Sequence, residues 1–104
     1  MSERRFNEGC AVTFTADFRR AGVGYVPATV EWKLRNATAD VLAQDWTSAT
    51  PAASVDVDIS GLLLTIADEA RDWETYELTV CADRGLSTQS PEVVLFRVVN
   101  VDAL

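Results

Sequence analysis

One stretch limits the fold more than any other: Trp73-Glu74-Thr75-Tyr76-Glu77-Leu78-Thr79-Val80-Cys81-Ala82-Asp83. Tyr76, Leu78 and Val80 fall on one side of an extended chain, and Glu77 and Thr79 on the other. A period of two is what a strand with one face on a core and one in water requires. This segment is expected to be the central strand of an all-β domain. Cys81 has the opposite parity to the apolar residues and should point away from the core, so it and Cys10 are expected as two free thiols.

The same alternation recurs along the chain. Val12, Phe14, Ala16 and Phe18 alternate with polar residues in a strand over Ala11–Arg19, and Gly22, Gly24 and Pro27 break it. Val30, Trp32 and Leu34 alternate with Glu31, Lys33 and Arg35 in a strand over Ala28–Arg35. A short strand is expected over Val41–Trp46, followed by a loop over Thr47–Ala52. Val55, Val57 and Ile59 define the next strand, and Leu62–Ile66 reads as another short one. Ala67–Asp72 is too short for an independent helix and is read as a connection. The last strand, Glu92–Val101, is apolar on both faces, because Val94, Phe96 and Val98 share one side while Val93, Leu95 and Val99 lie on the other with Arg97. Such a strand is expected to be covered on its second face by another element or another molecule.

These segments amount to about seven short strands at sandwich-like spacing. Residues 1–9 read as an N-terminal arm, with Arg4, Arg5 and Phe6 as its distinctive side chains, ahead of a single domain over residues 10–104. Trp32 follows Phe18 by fourteen residues, where an immunoglobulin-type core places its central indole. Asp72-Trp73-Glu74-Thr75-Tyr76 resembles the corner before the penultimate strand, where a tyrosine hydroxyl bonds to upstream backbone. Leu78 stands where antibody domains carry a cysteine, so the expected fold is an immunoglobulin-like β-sandwich without the usual inter-sheet disulfide.

Charge and composition remove several functions. Nine basic against sixteen acidic residues leave a net charge of −7, which offers no basic footprint for nucleic acid. No apolar run is long enough for a membrane span, and the polar start reads as that of an unexported protein. The acidic cluster Asp68, Glu69, Asp72, Glu74 and Glu77 reads as a solvated edge that keeps the fold soluble; a calcium site at Asp68, Asp72 and Glu74 matches no known loop spacing. There is no histidine, the only lysine is Lys33 on a charged strand face, and no phosphate-binding glycine loop is present. No enzymatic activity and no cofactor are therefore expected. Trp46, at the end of an edge strand, and Trp73, in a polar turn, are candidate anchors for a protein contact, joined by Leu95 and Arg97 of the doubly apolar strand and by the arm.

Four segments carry a resemblance. They are Arg5-Phe6-Asn7-Glu8-Gly9, Pro27-Ala28-Thr29-Val30-Glu31-Trp32-Lys33-Leu34, the Pro51–Ile59 strand entry, and Phe96-Arg97-Val98-Val99-Asn100-Val101. Together they resemble small immunoglobulin-like structural proteins encoded among the head and tail assembly genes of tailed bacteriophages and prophages. The resemblance implies a virion component, assembled in the host cytoplasm, that touches other capsid or head–tail proteins and further copies of itself. Capsid decoration or cementing is the leading expectation. A neck or tail position, or a glycan-binding adhesive module using Trp46, Trp73 or Tyr25, is the alternative.

Overall fold

The computed structural model describes residues 4–101. Nine strands follow in chain order: β1 (Arg4–Asn7), β2 (Val12–Asp17), β3 (Arg19–Arg20), β4 (Val23–Gly24), β5 (Val30–Asn36), β6 (Val41–Ala49), β7 (Ser54–Ile59), β8 (Trp73–Ala82) and β9 (Ser90–Val99). The protein is all-β. Five strands form one sheet in the order β1-β9-β8-β5-β6, β2 pairs with β7 in a second, and β3 with β4 makes a two-residue hairpin. As the alternation predicts, β8 is the middle strand of the larger sheet. Among the described residues no helix is long and apolar enough to cross a membrane.

The period-two pattern translates directly into burial. In β2 and β7 every second residue is buried, and in β5 Val30, Trp32, Leu34 and Asn36 face inward. Val12, Phe14, Val55, Val57 and Ile59 from the smaller sheet meet Trp32, Leu34, Tyr76, Leu78, Val80, Phe96 and Val98 from the larger one in a single core. Phe14 and Phe96 sit 5.1 Å apart by ring centroid, and Tyr76 stacks at 5.9 Å from Phe96. Offset and edge contacts of this kind add about 0.5–1.5 kcal/mol each beyond the area they bury.

Several expectations are corrected. Leu62–Ile66 is not a strand: Gly61–Leu63 is a turn of 3-10 helix capped by the Ser60 hydroxyl, which accepts from the Leu62 N–H. Leu64 and Ile66 are nevertheless buried, so their alternation reflects a core-facing connection without a ladder. Gly61 is required there, because a Cβ would run into the Gly9 carbonyl. β6 continues through the predicted loop to Ala49. The β5–β6 register shifts twice, between Trp32 and Leu34 and between Leu34 and Arg35, which scrambles the outward pattern that sequence reading relies on.

The expected arm joins the sheet from Arg4 to Asn7. β1 lies parallel to β9, with Arg4 opposite Phe96 and Asn7 opposite Val99. Phe6 packs edge-on against Phe14 and Phe96, at 5.8 and 5.7 Å. Met1–Glu3 of the arm and the last three residues of the domain lie outside the described residues.

Candidate protein-binding face

Away from the core, the five-stranded sheet presents a face whose rows follow from register. Arg5 lies opposite Arg97, which lies opposite Thr75. Leu95 pairs with Glu77 and Glu77 with Arg35; Val93 pairs with Thr79 and Thr79 with Lys33. Trp73 opens β8 opposite Val99. One face thus divides into a flank over β5 and the far end of β8, and a flank over β9, β1 and the start of β8.

The first flank is charged and covered. The Trp46 indole reaches in from β6 and takes the Lys33 ammonium at 5.1 Å and the Arg84 guanidinium at 4.4 Å from its centroid. Arg84 also pairs with Glu31 at 2.7 Å. Cys81, in register with Glu31, is buried under this layer, and so is Thr79. Cys81 leaves the inward-facing set, as its parity predicts, but it is buried all the same because a second layer shields it. Burial pushes its thiol above the ordinary range, against a smaller opposing pull from Arg84. Cys10 and Cys81 are both unpaired, Cys10 at the surface.

The second flank is bare. Val93 is 57% exposed, Leu95 50% and Trp73 46%. The Arg97 guanidinium lies 4.6 Å from the Trp73 ring centre, and Arg5 stands beside it. An apolar strip with a tryptophan and two arginines along it has the composition of an interface centre.

Two buried carboxylates hold the ends of β8 in place. Glu74, read from sequence as part of a solvated edge, is fully buried. It accepts from Asn36 Nδ2 at 3.0 Å, Ala67 N–H at 2.6 Å, Asp68 N–H at 3.2 Å and Arg71 Nη1 at 3.1 Å. Burial alone would raise its pKa, but the bonds from Ala67, Asn36, Asp68 and Arg71 outweigh it and hold the carboxyl below its ordinary range. This shell of N–H donors is the opposite of a calcium site, which needs oxygens turned inward. Among the described residues no group of three or more acids or thiols is arranged to hold a metal ion.

Asp83, just past the other end of β8, has φ +54° and is also buried. Its Oδ1 accepts from Ala28 and Thr29 N–H, and its Oδ2 from the Thr88 hydroxyl at 3.0 Å. Burial raises its pKa, and the bonds from Thr88, Thr29 and Ala28 with the nearby Arg20 charge bring it below the ordinary value. It buckles the β4–β5 and β8–β9 connections together.

The structure gathers four of the seven candidate contact residues, Arg5, Trp73, Leu95 and Arg97, on the bare flank. The other three lie elsewhere. Phe6 is taken into the aromatic cluster, Arg4 turns inward with its guanidinium 5.6 Å from the Phe14 ring centre, and Trp46 belongs to the covered flank. Val93 completes the strip; its signal was the run of apolar residues on both faces of β9. The burial of Glu74 and Asp83 carried no signal, because the backbone N–H groups and the Asn36, Arg71 and Thr88 side chains that satisfy them are brought together only by the folded connections. Comparisons with protein families, with curated proteins and with solved structures find no match for this chain.

Proposed function

We propose that this chain is a non-enzymatic structural module of a phage particle, an immunoglobulin-like β-sandwich that attaches to other virion proteins through its bare flank. One observation carries the reading: Val93, Leu95 and Trp73 share an exposed strip on a sheet whose other flank is covered. Exposed apolar area gains roughly 25 cal/mol per Å² only when something covers it, and apolar groups set among polar ones, as Leu95 and Trp73 are on either side of the Arg97–Thr75 row, mark contact surfaces. Arg5 and Arg97 border the strip in a protein of net charge −7, so they favour a partner that is acidic at that point.

The immunoglobulin-like part is supported by the sheet order, by Trp32 in the core, and by the Tyr76 hydroxyl, which donates to the Thr65 carbonyl at 2.6 Å just ahead of the penultimate strand. The phage setting rests on the resemblance of the four segments quoted above, with capsid decoration ahead of a neck or tail position. A glycan platform is less favoured. Tyr25 and Trp73 lie at opposite ends of the molecule, and Tyr25, Trp46 and Trp73 each have a cation over the ring.

Mass spectrometry of purified particles tests the proposal. The wild-type protein is expected in them at fixed stoichiometry, and a Val93→Lys/Leu95→Glu double variant is expected to be lost from them while remaining folded. Absence of the wild type from infectious particles overturns the virion reading. Retention of the double variant at full occupancy overturns the role of the bare flank.

A further inference from the structure

We propose that the open side of the molecule, between the free edges of β2 and β9, accepts an extended segment of a partner protein as an added strand. The inference deepens the protein-binding reading and rests on it, but it concerns the slot between the sheets rather than the outer face.

β9 runs from Ser90 to Val99, yet β1 pairs with it only from Phe96 onward. β2 pairs with β7 alone. Among the described residues, Ser90–Leu95 and Val12–Asp17 therefore each leave one edge without a ladder partner. Both edges border a cavity of about 650 Å³, with Phe14, Leu78, Val80 and Val94 on its walls and Arg4 and Glu92 at its margin. Unpaired strand edges beside an apolar hollow call for a ligand that supplies main-chain hydrogen bonds and apolar side chains together, which is what an added strand does.

Register defines that strand further. Arg4 lies opposite Phe96, so among the described residues β1 blocks the edge beyond that point and leaves about six residues, roughly 20 Å, without a ladder partner. Residues level with Glu92 and Val94 would point into the cavity and their neighbours into water. The occupant is therefore apolar at alternate positions. Neither Arg4 nor Glu92 makes an ion pair among the described residues. Their opposite charges favour an acidic residue or a terminal carboxylate at the Arg4 end and a basic residue at the Glu92 end.

A random-octapeptide display library panned against the full chain tests this. Enriched peptides should alternate apolar with polar residues. The best of them, synthesised, should slow amide hydrogen exchange in Ser90–Leu95. Val94→Lys should weaken its binding at least about tenfold, and Arg4→Glu, which also removes the cation beside Phe14, should weaken peptides with an acidic end while the chain stays folded and binds peptides without one as before. Where Val94→Lys fails to fold, Arg4→Glu and the exchange pattern decide. The proposal is overturned by the absence of enriched peptides, or by peptides that bind both variants as well as wild type. Slow exchange at Ser90–Leu95 in the free protein would also overturn it, since the chain would fill its own slot. So would a dimer that Val94→Lys abolishes, since a second copy would fill it. A failure here together with loss of the Val93→Lys/Leu95→Glu variant from particles rejects the slot and leaves the bare flank standing.

Discussion

The two flanks of the five-stranded sheet lie on the same face, on either side of β8, yet they meet solvent in different ways. Over β5 the outward residues are Glu31, Lys33 and Arg35, with Trp46 and Arg84 laid across them. Over β9 the outward residues are Val93 and Leu95, with nothing laid across them among the described residues. The charged flank recruits its own cover, because long cationic side chains can hold an indole by its face. On the other flank Arg97 lies over Trp73, but that pair leaves the aliphatic side chains of Val93 and Leu95 exposed. One sheet face is thus covered on one half and apolar on the other.

The largest test of this contrast removes the anchor beneath the bare flank. Glu74 is buried beside outward-facing Trp73, so its hydrogen bonds help to set the start of β8. Glu74→Ala strands the Ala67 and Asp68 N–H groups and Asn36, and should cost about 3 kcal/mol in denaturant unfolding. The pH dependence has a defined sign. The folded pKa of Glu74 lies below its ordinary value of 4.5, so its contribution is complete above that value and is lost as pH falls toward the folded pKa. Glu74→Gln should therefore lose less stability than wild type between about pH 5 and pH 3. A parallel acid profile for the two proteins would reject the role.

Next in size is the cover of the other flank. Trp46→Ala should cost about 2 kcal/mol, less than a fully buried aromatic because the indole is only half-buried. It should also open Cys81 to thiol reagents in the native protein. Wild type should label rapidly at Cys10 alone, and rapid labelling of both thiols in wild type would show that the cover does not exist.

Arg97→Ala should cost about 0.5–1 kcal/mol and change Trp73 fluorescence, as expected for a cation over an exposed ring. The smallest effect on stability belongs to Leu95→Ser, within about 0.5 kcal/mol. That variant should still weaken partner binding, and a large loss of stability would mean the strip serves the fold and not a contact.

Much of the fold was legible because one physical rule, a core on one side and water on the other, wrote itself into β2, β5, β7 and β8. The rule failed where a strand had no simple water side. β6 is an edge strand with a shifted register, so its pattern blurred and its last residues read as loop. Leu64 and Ile66 alternate like a strand because a connection crossing the core has the same two sides. The burial of Cys81 was hidden because its cover comes from Trp46, on a strand beyond β5. Four members of the bare flank were visible one by one, but Arg4, Phe6 and Trp46 could be set apart from them only by register and packing.

The parallel pairing of β1 with β9 has a mechanical consequence. Arg4 points back along the strand axis while Val99 leads out at the far end. Tension arriving through the chain segments on either side would slide the two strands past each other instead of unzipping them, loading all the ladder bonds from Arg4 to Asn7 at once. Shear of that kind is expected to meet more resistance than peeling β1 away from β9 one bond at a time.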